Sequence, residues 1–206
     1  YFDGLSAIFA FGGIYAAGIF GWSTTNLGVF GIILIIFAAL GAMAGGWLDD
    51  RIGSKRTILL AVVGLIIATL GIVSITVDGL GTDARQDTVL FFFHYAVAPP
   101  GEGMFTTLAE QIFLVFGIMV GMFGGPAQAA SRTMVSRLVP VNKIGEFYGL
   151  YALSGKATAF IAPLAVALIT GMMQSQRAGI ASILVFLSVG LLLMLPVREE
   201  RAAPPS

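Results

Sequence analysis

Six stretches of this sequence stay apolar for about twenty residues at a time, the length a helix needs to cross a ~30 Å hydrocarbon core. They fall at 1–21, 27–47, 57–77, 107–129, 146–170 and 178–197. No other feature constrains the fold as much. A soluble domain carries about 25% charged residues. This chain of 206 residues has 11% charged and 57% hydrophobic residues, with a mean hydropathy of +0.94. So little polar surface cannot cover a folded chain in water, and a lipid bilayer is the solvent it suits. In lipid the backbone must satisfy its own hydrogen bonds, which leaves helices or a closed barrel. The alternating ten-residue segments of a barrel are absent. The expected fold is therefore an all-α membrane protein with six transmembrane helices.

The same composition narrows the chemistry. Formal net charge is zero, which argues against a nucleic-acid partner. There is no cysteine for disulfides or thiolate chemistry, and His94 is the single histidine. No metal or cofactor site is expected. Neither a phosphate-binding loop nor a dinucleotide glycine fingerprint appears, and no second histidine completes a hydrolytic set. An enzyme is not expected. Tyr1 opens within an apolar run and lacks the basic flank of a signal peptide, so it reads as an edge with more chain before it.

Charge gives the orientation. Arg51, Lys55, Arg56, Arg132, Arg137, Lys143, Arg198 and Arg201 all fall on one side of the six-span arrangement, eight of eleven basic residues. The other side has Asp78, Asp83, Asp87, Glu102 and a turn with Arg177. The positive-inside bias puts both chain ends in the cytoplasm, with 198–206 as a tail, and a bacterial inner membrane as the expected location. The loop 78–106 holds "TVLFFFHYAVAPPGEG", whose apolar core is too short to cross, so an outer interfacial segment is expected, with His94 as a polar tip. Gly41/Gly45, Gly117/Gly121/Gly125 and Gly145/Gly149 recur at four-residue spacing, which lets helix backbones approach closely. Pro126 and Pro163 are expected kinks.

Between the second and third spans the chain reads "GGWLDDRIGSKRT". Gly46 would let two helices touch, and Asp50 ends a helix where it can pair with a basic group. Gly53 permits a tight turn, and Arg51, Lys55 and Arg56 hold the loop at the cytoplasmic face. With Leu48, these positions resemble the signature of the major facilitator superfamily. That resemblance implies a gating latch that binds no substrate. Arg132 and Arg137 are expected to pair with Glu146 across the next short loop and to add to this gate.

A narrower resemblance runs through most of the chain. Tyr1, Asp3 and Gly4, then Gly125, Gln128, Ser131, Arg132 and Pro140, then Glu146, Phe147, Gly149, Ser154, Gly155, Lys156 and Pro163 resemble one branch of that superfamily. The branch holds the autophagy-associated vacuolar amino-acid effluxers and their bacterial homologues, and the match is to the C-terminal half. The resemblance implies twelve spans in two six-span halves with alternating access. This chain would be one half, partnered by an N-terminal half or a second copy.

The remaining polar groups within spans are substrate or coupling candidates. Lys156 lies ten residues from Glu146, ~15 Å at helical rise, and its ~6 Å stem cannot snorkel to either interface. Its own face reads Gly145, Gly149, Ala152, Ala159 and Pro163, all small, while Leu150, Leu153, Ala157, Phe160 and Leu164 suit lipid. Asp3 is expected near the cytoplasmic end of its span and Glu110 near the outer end, so neither matches Lys156 in depth. Gln128 closes the fourth span with Ser131 and Arg132. The function expected is a permease half moving a small polar solute, with amino acids implied only by the resemblance. The alternative is a non-transport subunit that packs its small-residue faces against a larger membrane assembly.

Overall fold

The computed structural model describes residues 1–78, 93–96 and 104–197. Helix α1, Phe2–Phe20, stops at Gly21, whose φ of 64° is the left-handed conformation that ends helices. The Ser23 side chain then accepts the Asn26 N–H and starts α2, Thr24–Ile52. Gly53, at φ 91°, turns the chain directly into α3, Ser54–Ser74. Two short strands follow, β1 (Ile75–Asp78) and β2 (Phe93–Ala96), paired in parallel with Ile75 opposite Phe93. Most of the expected interfacial segment, and the 198–206 tail, lie outside the described residues.

A capping box opens α4, Leu108–Leu138: Thr107 Oγ1 accepts the Glu110 N–H, and Glu110 Oε2 accepts the Thr107 N–H. Pro126 sits within α4 without ending it. After a 3-10 turn at Val141–Lys143 come α5 (Ile144–Thr158), α6 (Ile161–Met173) and α7 (Gln176–Met194). The window at 146–170 is thus two helices. Pro163 has no N–H for the Ala159 carbonyl and its ring crowds that carbonyl, so the ladder lapses at Ala159–Phe160. It resumes with the Leu164 N–H on Phe160 O at 2.9 Å.

Counting α5 and α6 as one crossing, six helical segments among the described residues are long and apolar enough to span a membrane. They form a bundle in which α2 and α3 both pack along α4, α7 packs on α3, α1 and α6, and α5 carries no buried residue. Glycines set the closest approach. A Cβ on Gly45 would lie 2.5 Å from Pro126 Cβ, and one on Gly121 would lie 2.7 Å from the Leu34 carbonyl oxygen. Gly41 meets the Met122 backbone and Gly125 the Ala38 carbonyl. The α2–α4 seam is therefore two glycine stripes interlocked, as the spacing anticipates. Gly145 and Gly149 are different: nothing lies within 4 Å of a Cβ at either. Ile32, Ile35, Ile36, Leu40 and Met43 on α2, with Leu192 and Leu193 on α7, face outward as an apolar belt, which suits an integral membrane protein.

Candidate functional site: a charged clamp and an open lysine face

At the basic end of the bundle, α2, α3 and α4 are tied by one arginine. Arg137 Nη1 lies 3.4 Å from Asp49 Oδ1 and donates to Ser54 Oγ at 3.0 Å, and Nη2 lies 3.7 Å from Asp50 Oδ1. Asp49 is 4% exposed, and the Asp50 side chain is 82% exposed. A buried carboxylate interacts more strongly with its partner than a solvated one, so Asp49 carries this clamp.

That corrects three sequence expectations. Arg137 pairs with Asp49 instead of Glu146. Arg132 and Glu146 are both exposed and form no ion pair with each other; Arg132 contributes its backbone carbonyl, which accepts the Tyr148 hydroxyl at 2.7 Å. A Cβ added at Gly46, the motif glycine, would meet no neighbouring helix within 4 Å, and the helix contact falls to Gly45. The reason is helical phase. Gly41, Gly45 and Asp49 are spaced by four and share the buried face, whereas Gly46 and Asp50, one residue on, rotate ~100° outward. Extending the Gly41/Gly45 stripe by one more step would have located Asp49 in the sequence. The other motif residues hold the turn: Gly53 supplies its positive φ, Lys55 Nζ donates to Leu195 O at 2.6 Å, and the Arg51 guanidinium lies 3.8 Å over the Trp47 ring.

Lys156 stands on an open face. Gly145, Gly149, Ala152 and Lys156 are all exposed. The opposite flank of α5 meets α1 and α4 lightly. Gly155 nears Phe2, and Thr158 Oγ1 donates to Asp3 Oδ1 at 3.0 Å. Asp3 is therefore not out of register with Lys156. Tyr1 is bonded to Ser131 and abuts Gly190, about two turns inside the end of α4 and one turn inside that of α7, so Asp3 sits within the bundle. It is held by Thr158, ~3 Å of rise beyond Lys156. Two residues are also ~200° of rotation, so Thr158 and Lys156 point to opposite sides of α5. Lys156 has no ion-pair partner among the described residues. Gln128 is half-buried on α4.

Glu110 is fully engaged at the far end of the bundle. The Trp22 indole N–H donates to Oε1 at 2.6 Å, and Oε2 takes both Thr107 donors. Trp22 stacks or crosses edge-on with Phe20, Phe30, Phe105 and Phe113, centroids 4.9–5.6 Å apart. This carboxylate closes an aromatic plug and the start of α4. The pairing of Glu110 with Trp22, 88 positions apart, has no local sequence signal.

A family model described as "Vacuole effluxer Atg22 like" matches residues 105–205. The uncharacterized MFS-type transporter YxiO of Bacillus subtilis is 27% identical over 94 residues, 46% of this chain and 22% of that protein. Autophagy-related protein 22 of Yarrowia lipolytica is 24% identical over 201 residues, 97% of this chain and 30% of that protein. The probable nitrate/nitrite transporter NarK2 of Mycobacterium tuberculosis is 25% identical over 150 residues, 73% of this chain and 30% of that protein. The chain thus spans under a third of the length of these relatives. No solved structure matches it at a significant level. With six membrane-length helices and these relatives, the chain is a major-facilitator-like membrane protein related to the Atg22 branch.

Proposed function

We propose that this chain is one six-helix half of a secondary transporter that moves a small polar solute, amino acids being the class favoured, by alternating access. The observation that carries the reading is Lys156. An ammonium is costly inside a bilayer unless it faces a polar cavity or a counter-charge. Here it occupies the unpartnered face of a lightly held helix, among residues small enough to leave room. That is the geometry of a solute path completed by a second half, either an N-terminal six-span half or a second copy. The Asp49–Arg137–Ser54 clamp then serves as a gate element at the basic end, which we assign to the cytoplasm, in a bacterial inner membrane with both ends of this half cytoplasmic. Asp3, hydrogen-bonded across α1 and α5, is the acid placed to sense movement of α5. Relatives named as transporters and effluxers favour transport over a non-transport subunit.

The test is counterflow of a radiolabelled amino-acid mixture into proteoliposomes holding the full-length protein. Lys156→Met should lower the rate at least about tenfold while gel filtration remains monodisperse, since it removes a charge from an exposed position. Unchanged transport by that variant would remove Lys156 from the path. No counterflow by the wild type, together with co-purification in a larger membrane complex, would favour the subunit reading.

A further inference from the structure

The exposed apolar surface at the basic end of α2 and α3 is organised in a way that neither solute transport nor the clamp uses. On α2, Ile36, Leu40, Met43 and Trp47 are 50–75% exposed and follow one another at spacings of four, three and four. One more step of four reaches Arg51, whose guanidinium lies over the Trp47 ring. On α3, Leu70, Ile67, Val63 and Leu60 form a second exposed stripe, and one more step of four reaches Arg56, also exposed. The two helices run antiparallel through the Gly53 turn, where they meet, and both pack along α4. Each stripe therefore begins apolar in the bundle's midsection and ends in an arginine at the same rim.

The charges around the turn are not balanced. Asp49 and Asp50 both lie within 4 Å of Arg137. Arg51 and Arg56 have no acidic partner among the described residues. Tryptophan settles at the headgroup level of a bilayer, with its ring in the apolar edge and its N–H toward water. Stacking on Trp47 fixes the Arg51 guanidinium at that depth, and the planar fork suits a phosphate better than an ammonium would.

We propose that the α2–α3 turn is a binding site for one anionic phospholipid. Arg51 and Arg56 hold its phosphate at the rim, and its acyl chains lie along the Ile36–Trp47 and Leu60–Leu70 stripes. The apolar stripes distinguish a lipid from a free phosphate, which would gain nothing from them.

The full-length protein in mixed micelles tests this by thermal stability and native mass spectrometry. Dioleoyl phosphatidylglycerol should bind and raise Tm where dioleoyl phosphatidylcholine, with the same chains, does not, and the difference should shrink in high salt. Arg51→Gln with Arg56→Gln should weaken phosphatidylglycerol binding about 30-fold, from the loss of two cations at the surface. Arg51→Lys with Arg56→Lys should restore part of it. Inorganic phosphate and glycerol phosphate should leave Tm unmoved. Equal stabilisation by the two lipids, an unchanged response in the Gln variant, or stabilisation by inorganic phosphate alone would each overturn the site.

Discussion

Replacing Gly45 and Gly46 by alanine in turn separates a reading based on the motif from one based on packing. The motif assigns the close helix contact to Gly46, and the structure assigns it to Gly45. An alanine Cβ at position 45 would stand 2.5 Å from Pro126 Cβ, 2.7 Å from its Cγ and 2.8 Å from its Cα. Carbon atoms rest at about 3.5–4.0 Å, so α2 and α4 must part by about 1 Å. Pro126 is a rigid ring on a buried stretch of α4 and has no rotamer that clears the space. Overpacking of this kind costs about 1–3 kcal/mol. At about 2–4 °C per kcal/mol for a chain of this size, Gly45→Ala should lower Tm by about 2–12 °C in detergent. Gly46→Ala meets no atom within 4 Å and gains helix propensity of about 1 kcal/mol, so its Tm should stay level or rise. The assay is the fraction of monodisperse protein left after heating steps. If Gly46→Ala falls as far as Gly45→Ala, the helical phase argued for α2 is wrong.

The other predictions use neighbouring contrasts of the same kind. Asp49→Asn removes the buried carboxylate that Arg137 meets and should cost about 1–3 kcal/mol, whereas Asp50→Asn, on a solvated carboxylate, should stay within about 0.5 kcal/mol; equal losses would place the clamp on the motif aspartate after all. Trp22→Phe should cost about 1–3 kcal/mol by stranding Glu110 Oε1 without its donor, and pairing it with Glu110→Leu should cost less than the sum of the two single changes, the mark of coupled groups in a double-mutant cycle. Pro163→Ala restores an N–H for the Ala159 carbonyl and should merge α5 with α6; spin labels at Leu150 and Leu168 would report a longer, narrower distance distribution, and an unchanged one would deny Pro163 its part in the break.

The elements were largely legible in the chain because they answer to local physics. The twenty-residue apolar windows and the turn at Gly53 act over a few residues, as do the caps that the structure shows at Gly21, Ser23 and Thr107. The Gly41/Gly45 and Gly117/Gly121/Gly125 stripes were legible for the same reason, since four-residue spacing places residues on one helix face whatever surrounds them. The break at Ala159–Phe160 was half-legible: Pro163 announces a disturbance, and its carbonyl partner four residues earlier fixes the place.

The partnerships were not legible, because they join residues far apart in the chain whose meeting depends on which helix faces which. Asp49 with Arg137, Asp3 with Thr158, and Trp22 with Glu110 are separated by 88, 155 and 88 positions. No propensity acts over that range. Apolar length and backbone hydrogen bonding were enough to read an all-helical membrane protein from the chain alone, because in lipid every backbone polar group must be paired within its own helix. The packing of the helices settles which of two adjacent aspartates is buried and that Lys156 turns away from Asp3. Each of these follows from ~100° of helical rotation per residue, so that a shift of one position moves a side chain from a buried seam to an open face.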